Sequence, residues 1–96
     1  MAKLYNVNGE VTEVNIGEVG TTERGNKIRE LIGGYFEIVY LKNGKSFFIN
    51  ENGMARNLPI NEKATMEFQT NAQNTSVAYE GLLFGNVVEV DTNELN

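Results

Sequence analysis

Three Asn-Gly dipeptides, Asn8-Gly9, Asn43-Gly44 and Asn52-Gly53, mark places where this chain must turn back on itself. Asn and Gly both enter positive φ at little steric cost, so the pair between extended segments is the strongest short-range hairpin signal. The second pair is the clearest. Tyr35–Leu41 and Ser46–Ile49, on either side of it, are rich in β-branched and aromatic residues. Alternation puts Phe36, Ile38 and Tyr40 on one face of the first arm, and Tyr35, Glu37, Val39 and Leu41 on the other. Both faces are largely apolar, so a helix or second layer is expected over each, at least in part. The first pair separates Leu4–Val7 from Val11–Ile16 and predicts a shorter N-terminal hairpin. The third closes the turn Asn50-Glu51-Asn52-Gly53.

Two segments carry helical spacing instead. From Thr21 to Ile32, Ile28, Leu31 and Ile32 share a face. Thr21 or Thr22 supplies the N-cap, and Gly33-Gly34 stops the helix. Gly25 weighs against this segment, since glycine costs a helix interior about 1 kcal/mol relative to alanine. A second helix is expected after Leu58-Pro59-Ile60, with Asn61 as N-cap, Glu62 in the first turn, and Ala64 and Phe68 stacked at i, i+4. It should fade in the polar stretch Thr70–Ser76. Leu82 to Val90 reads as the final strand, with Gly85 at a bulge or a close backbone approach. The polar tail Asp91–Asn96 reads as frayed. The order β-β-α-β-β-α-β predicts an α+β fold on a mainly antiparallel sheet with two helices, in a single small domain over residues 1–96.

Composition narrows the chemistry. The chain has no cysteine, histidine or tryptophan. Thiolate metal sites, disulfides and cysteine nucleophiles are excluded, and the usual general base near neutral pH is missing. No metal site, cofactor or catalytic group is expected. The net charge is −5, with only 8 Lys and Arg, too few and too scattered for a phosphate-tracking face, so nucleic acid is not an expected partner. Nothing approaches the roughly 18–20 apolar residues of a bilayer span, and no signal-peptide core follows Met1. Asn74-Thr75-Ser76 matches a glycosylation sequon by chance on this reading. The expected location is the cytoplasm.

The segment Leu31-Ile32-Gly33-Gly34-Tyr35-Phe36-Glu37-Ile38-Val39 resembles a "VGGYIEVV" signature of a small phage and mobile-element family, domain of unknown function thirty-eight forty-six. Asn50-Glu51-Asn52-Gly53 is similar to its "DExG" turn, and Leu58-Pro59-Ile60-Asn61-Glu62-Lys63-Ala64 to its "LPxNxxA" segment. Gly85–Val90 sits where that family has a closing Gly-plus-valine strand. Asn50 departs from the acidic residue usual at the turn, which puts any role of that carboxylate in doubt. The resemblance implies a phage or mobile-element setting, hence a host-cell cytoplasm, and carries no catalytic residues.

The candidate binding residues are Arg24, Gly33, Gly34, Tyr35, Glu37, Arg56 and Asn61. Gly33-Gly34 admits a ligand close to the backbone, or is simply a helix stop. Glu37, an acid within an apolar strand, is either buried with a raised pKa, or paired, or at the wet edge of the sheet. Arg24, Lys27 and Arg29 fit a solvated helix face or an anion fork. Arg56, Asn61 and the glycine junction would line one cleft with Tyr35 as a stacking surface, provided the two helix N-terminal regions converge. Asn50-Glu51-Asn52 lacks the ligand spacing of a calcium loop and reads as a turn. The leading expectation is a non-enzymatic homo-oligomer that sequesters a small anionic or nucleotide ligand in counter-defence. The alternative is an acidic protein that docks on a basic face of a host protein. A metal-assisted hydrolase using Glu37 is the least supported.

Overall fold

Each of the first two Asn-Gly pairs places its glycine last in a three-residue loop. The computed structural model describes residues 2–71 and 81–95. Strands β1 (Ala2–Tyr5) and β2 (Val11–Val14) pair antiparallel with Tyr5 opposite Val11. Asn6 N–H then donates to Glu10 O, leaving Val7, Asn8 and Gly9 as the loop, with Gly9 at φ +96°. Strands β3 (Phe36–Tyr40) and β4 (Lys45–Asn50) repeat the device. Leu41 N–H donates to Lys45 O, and Gly44 sits at φ +81°. A type I turn followed by a left-handed residue is the standard three-residue hairpin, and glycine makes it cheap. In the third pair Gly53 is needed for space instead. A Cβ there would stand 2.9 Å from Phe84 Cβ.

The C-terminal strand β5 (Val87–Asp91) joins the two hairpins into one five-stranded antiparallel sheet, in the order β2-β1-β5-β4-β3. Its central place explains its composition. Val87, Val88, Glu89 and Val90 are all buried, as a strand covered on both faces requires. Helix α1 (Thr22–Ile32) covers one face, where Ile28 and Ile32 pack with Leu4, Ile16, Phe48, Val88 and Val90. Helix α2 (Glu62–Asn71) covers the other, where Ala64 and Phe68 pack with Tyr5, Val39, Phe47, Ile49 and Val87. The predicted order of elements and the covering of both faces match this architecture.

Two stretches depart from the sequence reading. Leu82–Asn86 is not part of the last strand, because Gly85 takes φ +82° and its Cβ position lies 2.9 Å from Leu58 Cδ1. The close approach was expected; the late start of the strand was not. The C-terminal segment is pinned instead of frayed. Thr92–Glu94 forms a 3-10 turn, Thr92 N–H donates to Gly44 O at 2.8 Å, and Leu95 packs on the α1-side core. Helix α2 runs to Asn71, while the rest of the polar stretch and Asn74-Thr75-Ser76 lie outside the described residues.

Candidate functional site

The end of α1 is closed by its own backbone, by the end of β4 and by two loops. Thr21 caps its start, accepting from Arg24 N–H, and Gly33 ends it in the left-handed region at φ +83°. Gly33 and Gly34 N–H both donate to Arg29 O. The last carbonyls have no intrahelical donor, and three side chains supply one each. Asn86 Nδ2 donates to Leu31 O at 3.2 Å, Asn50 Nδ2 to Ile32 O at 3.3 Å, and Arg56 Nη1 to Gly33 O at 2.8 Å. A guanidinium at this end also faces the negative pole of the helix. An Asp could not take the place of Asn50 here, since its carboxylate has no N–H for Ile32 O. Asn50 Oδ1 accepts from Asn52 N–H at 2.9 Å and starts the turn that follows.

That turn presents Arg56. Arg56 N–H donates to Asn52 O and Leu58 N–H to Gly53 O, and Asn57 closes the run at φ +56°. Arg56 itself is exposed, with Nη1 fixed on Gly33 and the rest of its fork unspent among the described residues. Gly34 lies beneath it, its Cβ position 3.1 Å from both Arg56 Nη1 and Asn50 Nδ2. A shallow groove of about 350 Å³ runs beside the junction, lined by Val7, Ile32, Gly33, Leu58, Pro59 and Asn86, with Glu30 as its one charged residue. Gly33 belongs to the groove and anchors Arg56.

The structure therefore gathers Gly33, Gly34 and Arg56, and separates the other candidates. Tyr35 is 70% exposed, but strand alternation sets it on the face of Glu37, opposite to the direction of Gly34 Cβ. It does not complete a stacking platform with Arg56. Glu37 is exposed on edge strand β3, so the buried acid or base reading fails. Arg24 is buried and spent. Its Nη1 donates to Gly17 O at 3.1 Å and its Nη2 to Glu94 O at 2.8 Å, tying α1 to the C-terminal turn.

Asn61 is 0% exposed and lines nothing. Its Oδ1 caps α2 by accepting from Ala64 N–H at 3.1 Å. Its Nδ2 donates to Tyr5 O at 2.8 Å and Gly85 O at 2.9 Å, tying the helix start to β1 and to the loop before β5. The sequence signal for the cap was correct. The cleft it was assigned to does not exist, because Asn61 locks the α2 side of the sheet.

Among the described residues the buried acid is Glu89, not Glu37. Tyr5 Oη donates to Glu89 Oε1 at 3.0 Å. Burial, then the Glu89 charge and this hydrogen bond, hold the Tyr5 phenol well above the usual tyrosine range. Glu89 also stands opposite Lys3, which stands opposite Glu13, a ladder of alternating charge across three strands. Lys45 and Asp91 face each other at the end of β4 and β5 as an exposed ion pair. No group of three or more His, Cys, Asp or Glu able to hold a metal occurs among the described residues, and no helix there is long and apolar enough to cross a membrane.

No curated protein and no solved structure matches the chain. A family model does, described as Domain of unknown function (DUF3846), over residues 4–95. The match takes in both hairpins, both helices and the closing strand, and the chain belongs to this family.

Proposed function

We propose that the protein is a non-enzymatic binding protein of a phage or mobile element that holds a small anionic ligand of nucleotide type at the α1 junction. The observation that carries this reading is Arg56. Its Nη1 is anchored on Gly33 O at 2.8 Å, Gly33 also lines the groove of about 350 Å³, and the other nitrogens of the fork are unspent among the described residues. An anchored guanidinium loses less freedom on meeting a phosphate or carboxylate than a mobile one. Pockets of this size accept small ligands, and the apolar floor of Val7, Leu58 and Pro59 suits a base or sugar edge. Sequestration needs no general base, in keeping with a chain without His or Cys.

Thermal unfolding against a panel of linear and cyclic mono- and dinucleotides tests it. A ligand at a hundredfold excess over Kd stabilises by about 2.7 kcal/mol, which raises the midpoint of a domain this size by roughly 10 °C or more. Arg56→Ala should remove the shift. A panel with no shift at all contradicts the reading.

A second reading, docking on a basic host protein, is favoured by a different place. The grooves beside the start of α1 are lined by Glu18, Glu23, Glu30 and Glu94 against Lys27, which pairs with Glu30, while Arg24 is turned inward. Binding there would weaken with salt.

A further inference from the structure

The two edges of the sheet are unequal, and the difference identifies a partner. The β2 edge is four residues long, carries Glu13, and is entered from Glu10. Charge and shortness are the usual defences against edge-to-edge pairing. The β3 edge is longer, at five residues, and its one charge, Glu37, lies on the α2 side of the sheet with Val39. Its residues Ile38 and Tyr40 are 37% and 51% exposed, on the α1 side of the sheet. Tyr35 O accepts from Glu51 N–H, and Leu41 N–H donates to Lys45 O, so Tyr35, Glu37, Val39 and Leu41 turn their amides toward β4. Phe36, Ile38 and Tyr40 must then turn theirs outward, where no described residue meets them.

The outward row is bounded on both sides. Gly34 N–H is committed to Arg29 O, and Lys42 N–H to Asn71 O. Ile38 lies midway between those two residues. A row of free amides symmetric about one residue is self-complementary under a two-fold axis.

We propose that two copies of the chain pair antiparallel through β3, with Ile38 on the two-fold axis, to make one continuous sheet. Ile38 then stacks on the partner's Ile38, and Phe36 faces the partner's Tyr40, each pair exchanging both backbone hydrogen bonds. Moving the axis to Glu37 sets two carboxylates directly opposite each other. Moving it to Val39 sets Phe36 against the partner's Lys42, whose N–H is already used. Only the Ile38 register satisfies every free amide. Each copy carries a charge of −5, so the dimer tightens as salt rises. This inference stands on the edge alone and does not depend on a ligand at Arg56.

Sedimentation equilibrium of the full chain up to roughly 0.1 mM tests the edge. The expected result is a dimer that Ile38→Lys dissociates, weakening it by a hundredfold or more, and that Val11→Lys on the β2 edge leaves intact. Circular dichroism confirms that both variants fold. A single cysteine tests the register, since the chain has none of its own. Ile38→Cys should oxidise to a covalent dimer faster than Glu37→Cys. A monomer throughout, a dimer indifferent to Ile38→Lys, loss of the dimer only in Val11→Lys, or equal oxidation of the two cysteine variants each overturns the proposal.

Discussion

The two places where a helix meets the sheet use the same chemistry to opposite ends. Before α2, Asn61 is wholly buried and its amide is spent on Ala64, Tyr5 and Gly85. After α1, Arg56 is exposed and has spent one nitrogen, on Gly33. Both residues satisfy orphan groups at a helix end. The first leaves nothing over for a ligand, whereas the second keeps most of its donors in water. A polar side chain at a helix terminus therefore announces a cap. Whether it also announces a site depends on what remains unpaired.

The contrast is sharpest in stability. Asn61→Ala removes an N-cap, about 1 kcal/mol, and strands two buried carbonyls, about 1–3 kcal/mol each. A loss of about 3 kcal/mol or more in urea unfolding is expected. A loss under about 1 kcal/mol would break the description of Asn61 as a lock. Gly53→Ala comes next. Its Cβ meets Phe84 at 2.9 Å, and backbone or core must shift to admit it. The expected cost is about 1–3 kcal/mol, read in the same experiment. It should also displace the turn that presents Arg56.

Tyr5 sharpens the closed side through pH. Its phenol holds its proton more tightly folded than unfolded, so the folded state binds more protons once pH passes the ordinary tyrosine value of about 10. The contribution is fully present below that pH and is lost as pH rises above it. Wild-type stability should fall with this slope, and Tyr5→Phe should lack it. Tyr5→Phe should also lose about 1–3 kcal/mol at neutral pH, because Glu89 loses its buried donor. An identical alkaline slope in the two proteins would contradict the placement of Tyr5 beside Glu89.

The smallest effect belongs to the open side. Arg56→Ala gives up one exposed cap contact and a favourable charge at the helix end, about 0.5–1 kcal/mol. Thermal unfolding near the wild-type midpoint, together with lost ligand stabilisation, would separate binding from folding.

Much of the fold was legible locally. Glycine at the end of each hairpin loop, Thr21 and Asn61 at the helix starts and Gly33 at the helix stop all act within a few residues of themselves. The site was less so. Glu37 in Phe-Glu-Ile-Val and Glu89 in Val-Val-Glu-Val have similar neighbours, yet one is exposed and the other buried. What separates them is strand order, edge against centre, which no local pattern records. Arg24 looked like a surface cation because its two acceptors, Gly17 O and Glu94 O, lie on segments outside its helix. The sequence placed Arg56 with Gly33-Gly34 in one cleft, and the turn after Asn50 does bring Arg56 to Gly33 O. That Asn61 would not join them follows only from its buried bonds to Tyr5 and Gly85.

Native mass spectrometry of the wild-type protein and Arg56→Ala, each recovered from the cells that produce it, tests the central claim most directly. The wild type should carry a bound mass in the nucleotide range, and Arg56→Ala should fly without it while remaining folded. A bare wild-type protein, or the same bound mass in both, would contradict the assignment of the α1 junction as the binding site.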